Sequence, residues 1–198
     1  MKRHTRSEAR ADAAAMVIES VSLVTVESPE QRDAARALVS EYLRWVAEVA
    51  RSNYGLSFDV EAMIESDFDD SKFFPPRGRF YLVRYEAAFI GVGCLKRLAP
   101  GLGEIQRMYV RPEARGIGAG RLLVERLLED ARSLGYLTVR LESLRALGPA
   151  HELYRSVGFV EIAPYNDNSM QAYQTRESLP AYSDSAVFME ARLAAGPA

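Results

Sequence analysis

The run Arg115-Gly116-Ile117-Gly118-Ala119-Gly120 has the residue types and spacing of an anion cradle. Its three alternating glycines stand between a stretch that reads as a strand, Glu104 to Val110, and one that reads as an amphipathic helix, Ala119 to Leu134. Glycine lets the backbone take positive φ and come close to a ligand. The first turn of a helix offers unpaired N–H groups and a partial positive charge. Together these suit a phosphate. Spacing narrows which one. A Rossmann dinucleotide site needs Gly-x-Gly-x-x-Gly after an early strand, whereas this run is Gly-x-Gly-x-Gly past the middle of the chain. A P-loop needs Gly-Lys-Ser/Thr, and Gly120 is followed by Arg121-Leu122. A bend in which the glycines have only steric duty is the plain alternative.

The elements that would position this run can be read from periodicity and turn chemistry. Ser22 to Glu27 alternates as a first strand. Ser28-Pro29 starts a helix as N-cap and first helical residue. That helix runs to about Ser52 with Leu38, Tyr42, Trp45, Val46 and Val49 on one face, and Asn53-Tyr54-Gly55 ends it. A shorter helix covers about Asp59 to Ser66, followed by a loop from Asp67 to Gly78. Arg79 to Tyr85 and Ala88 to Leu95 form a hairpin, and Pro100 to Gly103 turns the chain into the strand before the glycines. After the glycine-led helix come a strand (Leu137 to Glu142), a helix (Pro149 to Val157), a strand (Phe159 to Ile162), a long polar segment (Pro164 to Asp184) and a closing strand (Ala186 to Leu193). Meandering strands followed by β-α-β units predict an α/β (α+β) fold: a mixed, mostly antiparallel sheet of six or seven strands with helices on both faces.

The chain has 198 residues, enough for one domain with a sizeable core. Its expected span is 21–194. Residues 1–20 read as a basic, alanine-rich disordered tail and 195–198 as a short C-terminal tail. A net charge of -2 predicts no general attraction to nucleic acid or to an anionic membrane, and no apolar run approaches the ~20 residues of a membrane span. The one cysteine, Cys94, closes no internal disulfide and fits a reducing cytoplasm. It also leaves no cysteine cluster for zinc. With only His4 and His151 besides, no metal site is expected.

Two separated motifs carry a family resemblance. Arg115-x-x-Gly118-x-Gly120, preceded by Met108-Tyr109-Val110-Arg111-Pro112, resembles motif A of the Gcn5-related N-acetyltransferase (GNAT) superfamily. Leu153-Tyr154-Arg155-Ser156-Val157-Gly158-Phe159 is similar to that superfamily's later Leu-Tyr-x-x-x-Gly-Phe signature. The resemblance covers about Leu23 to Leu193. It implies a sheet whose central strands splay apart and acetyl-CoA as cosubstrate. The diphosphate would lie on the amides of Arg115, Gly116, Ile117, Gly118, Ala119 and Gly120, with Arg111, Arg115 and Arg121 as nearby cations. The strand before the glycines would bulge at Met108, Tyr109 and Val110, and an N–H there would polarise the thioester carbonyl. The family often has Asn seven residues before the tyrosine; Leu147 stands there.

Acetyl transfer to an amine needs the amine neutral, so a base must take a proton and an acid should protonate the leaving thiolate. Glu104 shares a strand face with Val110 and matches the base of histone-type members; a surface carboxylate is its alternative. Glu142, at the end of the next strand, is the second candidate base. Tyr154 matches the family's general acid, with a packed core tyrosine as its alternative. His151 lies on the same helix face as Tyr154 and reads as packed or exposed rather than catalytic.

The expected acceptor is a small-molecule primary amine, with a protein N-terminus or lysine second and a non-catalytic acyl-CoA sensor as a third reading. Glu61, Glu65, Asp67, Asp69 and Asp70 place -5 on the second helix and its loop, a face that could attract a cation or merely be solvated. Phe73-Phe74-Pro75-Pro76 would line an apolar wall. The segment with Tyr165, Tyr173 and Tyr182 would serve as a lid or as the contact of a homodimer.

Overall fold

A long capped helix and a seven-stranded sheet frame the molecule in the computed structural model, which describes residues 21–69, 71–165, 170, 173 and 179–193. The strands are β1 (Val21–Thr25), β2 (Arg79–Tyr85), β3 (Ala88–Ala99), β4 (Leu102–Val110), β5 (Thr138–Leu144), β6 (Val160–Ile162) and β7 (Ala186–Arg192). The helices are α1 (Pro29–Tyr54), α2 (Val60–Asp69), α3 (Ala119–Ser133), α4 (Gly148–Ser156) and α5 (Leu179–Ser185). The sheet order is β1-β2-β3-β4-β5-β7-β6, and every neighbouring pair is antiparallel except β4 with β5. The mixed, mostly antiparallel sheet with helices on both faces is as the sequence predicts. The expected tails at 1–20 and 195–198 lie outside the described residues. No described helix is long and apolar enough to cross a membrane.

Local chemistry explains the elements around the site. Ser28 Oγ accepts from the Gln31 amide, and Gln31 Oε1 accepts from the Ser28 amide, a reciprocal cap with Pro29 in the first turn of α1. Gly55 ends α1 at φ 67°, its N–H reaching back to the carbonyls of Ala50 and Arg51. Ala35, Leu38, Val39 and Leu43 of α1, with Met63 and Ile64 of α2, cover one sheet face through Phe80, Leu82, Val92 and Cys94. Leu123, Val124, Leu127 and Leu128 of α3, with Tyr154 of α4, cover the other through Val83, Leu95, Ile105, Val139 and Leu141. Burying a Leu or Phe side chain gives about 1.5–3 kcal/mol, so both faces of the sheet contribute to holding β4 and β5 in place.

Several boundaries differ from the periodicity reading. β3 continues to Ala99, and β5 runs to Leu144 because β7 pairs with it along its whole length, up to Leu144 with Ala186. The α2 helix extends to Asp69, so Asp67 is helical rather than in a loop. The polar segment before the last strand contains α5, with Pro180 in its first turn.

Candidate active site

The cleft begins where the parallel pairing of β4 with β5 stops. β4 and β5 are joined at Leu102 with Thr138, Gly103 with Val139 and Glu104 with Arg140, and no further. Beyond that point β4 stays on β3 and β5 stays on β7, so the edges of 105–110 and 141–144 face each other unpaired. A cavity of about 580 Å³ opens there, its walls including Met108, Tyr109, Val110, Arg115, Gly116, Gly118, Ala119, Gly120, Arg121 and Tyr154. Ile117 does not line it; its side chain packs on the core.

The glycines do three different things. Gly116 and Gly118 hold φ 85° and 86°, the left-handed region. Gly118 is also the N-cap of α3 and supplies no side-chain cap, so the first amides of α3 remain free for a ligand. Gly120 allows close packing: a Cβ there would come within 3.2 Å of Leu153 on α4.

The bulge in β4 lies earlier than expected. Tyr109 pairs with Val92 and Gln106 with Cys94, leaving Arg107 and Met108 opposite the single residue Gly93. Arg107 takes φ 55°, which costs a non-glycine residue about 1–3 kcal/mol. Its guanidinium turns into the core, where Nε and Nη2 both donate to the buried Asp67 of α2, the second at 3.1 Å. Lys72 Nζ stands 3.3 Å from the same carboxylate. This bulge and its ion pair escaped the sequence because a left-handed arginine has no local signal.

The three arginines separate. Arg111 is engaged elsewhere: Nε and Nη2 donate to Glu41 of α1, which also accepts from Tyr109 at 2.7 Å. It does not line the cavity, and its guanidinium is held by Glu41. Arg115 lies 5.3 Å over the Trp45 ring and donates to the Val110 carbonyl at 3.0 Å. Arg121 bridges Ser156 at 2.7 Å and Glu125 at 3.1 Å at the rim.

The two candidate bases stand in unlike surroundings. Glu104 is fully buried and already held: Gln106 donates to it at 2.9 Å, Tyr165 at 3.0 Å, and Lys96 lies 3.2 Å away. Glu142 has Oε2 out of solvent with no hydrogen-bond partner. Burial first, then the neighbouring Glu104, pushes its carboxyl up to about 8, with Arg107 and Lys96 opposing. Tyr154 is buried against Phe159 (ring centroids 5.9 Å apart) and reaches the cavity wall; burial, with a smaller effect of Tyr42, keeps its phenol protonated above the ordinary tyrosine range. Tyr42 lines the same cavity, although its place in the apolar stripe of α1 marked it only as core. His151 is buried, shares a 3.1 Å hydrogen bond with Ser143, and has its pKa lowered mainly by burial.

A second, smaller pocket of about 60 Å³ adjoins the cleft through Tyr42, Ile105, Gln106, Arg107, Glu142, Ser143 and Leu147. Its remaining wall includes Leu43, Val46, Phe58, Met63, Met170 and Tyr182. The expected acidic face is not one surface. Asp67 is buried on Arg107, Glu61 pairs with the exposed Arg44 at 2.9 Å, and Asp70 lies outside the described residues. Phe73 and Phe74 do not form the pocket wall: Phe73 is in the core, and Phe74 packs on Phe80 beneath Arg32. Most of the expected lid, residues 166–169, 171–172 and 174–178, is outside the described residues. Among those described, no group of three or more His, Cys, Asp or Glu is placed to hold a metal.

Comparison with known proteins adds three findings. Residues 41–159 match the model of the acetyltransferase (GNAT) family. An uncharacterized N-acetyltransferase of Schizosaccharomyces pombe is 32% identical over 153 residues, 75% of this chain and 88% of the relative; the IAA acetyltransferase of Azospirillum brasilense is 32% identical over 142 residues, 70% and 84%. In fold, the chain is similar to the PaiA N-acetyltransferase of Thermoplasma acidophilum solved in complex with coenzyme A, with a TM-score of 0.62 at 18% identity, covering 88% of this chain and 99% of that one.

Proposed function

This chain belongs to the acetyltransferase (GNAT) family and is an N-acetyltransferase, and on that premise we propose that it moves acetyl from acetyl-CoA to a small-molecule primary amine, both bound at once. Acetyl-CoA supplies an activated thioester. The residues fit it: amides of Gly116 to Gly120 at an uncapped helix start suit the diphosphate, and the unpaired edge of β4 from 105 to 110 suits a pantetheine arm. An N–H after the bulge, from Met108 to Val110, polarises the carbonyl; one such donor is worth about 2.7–4 kcal/mol.

Glu142 takes the proton from the attacking amine. Its carboxyl near 8 is matched to proton transfer at neutral pH, and Oε2 is unengaged. Glu104, already bonded to Gln106 and Tyr165, sets the field that raises Glu142 and is the second candidate for the base role. Tyr154, kept protonated by burial, donates to the leaving thiolate sulfur. The pairing break at Glu104 and Arg140, beside an unpartnered carboxyl, carries this reading. The test is thiol release from acetyl-CoA across a panel of small amines and lysine peptides. Release of CoA thiol that depends on the small amines is expected; none with any amine would sink it.

A further inference from the structure

Among the described residues, two buried side-chain polar atoms lack a hydrogen-bond partner: Glu142 Oε2 and Tyr182 OH. Both residues line the same small pocket. Leaving such atoms unpaired is costly, so a ligand that satisfies both gains affinity and selectivity. The two are placed differently. Glu142 stands where the small pocket meets the cleft, since it lines both, whereas Tyr182 lines only the small pocket. Tyr182 sits on α5, which leads straight into β7, where Ala186 pairs with Leu144 two residues past Glu142.

The pocket has an apolar side, with Leu43, Val46, Phe58, Met63 and Leu144, and a polar one, with Glu104, Gln106, Arg107 and Ser143 beside Glu142. A volume of about 60 Å³ holds about four to six water-sized groups. A second ionic group buried there without a partner of its own is unfavourable. A carboxylate would also meet Glu104 and Glu142, while the cations of this region are engaged, Arg107 by Asp67 and Lys96 by Glu104.

Resting on the acetyltransferase reading, we infer that the pocket takes the amino-alcohol class of acceptor: a cationic primary amine at Glu142 and one neutral hydrogen-bonding group at Tyr182. The ammonium donates to Glu142 Oε2, and a hydroxyl roughly two to four carbons away bonds Tyr182 OH.

Calorimetry on the full-length protein saturated with CoA tests this with aminopropanol, its isostere butylamine and the carboxylate analogue beta-alanine. Aminopropanol should bind about five- to tenfold tighter than butylamine, the value of one well-made hydrogen bond, and beta-alanine weakest. Tyr182→Phe should bring that ratio near one with butylamine binding unchanged. Equal binding of the two isosteres by wild type, a ratio unmoved in Tyr182→Phe, or tightest binding of beta-alanine would overturn the assignment. Thiol release is read separately. Binding as expected without thiol release in the whole amine panel supports the pocket and overturns acetyl transfer. Release with lysine peptides and no selective amino-alcohol binding overturns the pocket and leaves acetyl transfer standing.

Discussion

At the scale of single residues, the proposed division of labour between Glu104 and Glu142 rests on what each already touches. A carboxylate bonded to Gln106 and Tyr165 beside Lys96 has its lone pairs in use; one with a dry, unpartnered oxygen is held ready to take a proton. Glu142 is raised from 4.5 to about 8, so the folded state holds its proton more tightly than the unfolded chain does. Its contribution therefore opposes folding increasingly as pH rises from 4.5 through 8. Glu142→Gln should raise the melting temperature of the ligand-free protein by about 3 °C or more at pH 8.5 relative to pH 4.5. It should also lower kcat by ~10²–10⁴-fold and remove the rise of kcat/KM centred near pH 8. A retained limb at pH 8 would transfer the base role away from Glu142. Tyr154→Phe should slow turnover by ~10²-fold or more with KM for acetyl-CoA within about twofold, because the acid acts on the leaving sulfur and not on donor binding. Wild-type turnover would remove the acid role.

At the scale of elements, the bulge in β4 is held from across the molecule. Arg107 is kept in a left-handed conformation while its guanidinium is fixed by Asp67 of α2, so a helix outside the sheet sets the shape of the strand proposed to supply the carbonyl donor. Removing one partner of a buried ion pair typically costs about 3–5 kcal/mol, because the other charge stays buried. Asp67→Asn should therefore destabilise by about 3 kcal/mol and lower kcat through a relaxed bulge. Adding Arg107→Gly should recover much of that stability: glycine takes φ 55° without strain and removes the arginine's buried charge. Chemical denaturation of the single and double variants checks this; a double variant less stable than Asp67→Asn would mean that the arginine stem, not its charge and backbone, holds the bulge.

At the scale of the whole molecule, the sheet is one continuous unit with a gap built into its middle, and a ligand in that gap bridges two strands, β4 and β5, that pair with each other at three residue pairs. Binding to the native state alone stabilises it, by ~2.7 kcal/mol at a hundred times the dissociation constant. Coenzyme A at that level should raise the melting temperature by about 5–10 °C, since 1 kcal/mol shifts a domain of this size by about 2–4 °C. Gly118→Glu, which places bulk and charge at the helix start and demands positive φ of a non-glycine residue, should abolish the shift. A retained shift with an intact fold would remove the glycine run from the donor site.

By itself the sequence determined the element order apart from α5, the capped start of α1 at Ser28-Pro29, the glycine-led helix and the placing of Tyr154 on the helix after β5. These are set by neighbours in the chain: caps, periodicity, and glycines where φ is positive. It did not determine where the bulge falls, that Asp67 is a buried counter-ion rather than part of an acidic face, that Arg111 is spent on Glu41, or that Tyr42 and Tyr182 face a pocket. Each of those depends on a partner tens of residues away, from 40 for Asp67 and Arg107 to 70 for Glu41 and Arg111. The contrast between Glu104 and Glu142 has the same origin. Two carboxylates alike in type differ because one was given partners by the folded chain and the other was left with an oxygen that is dry and unpartnered.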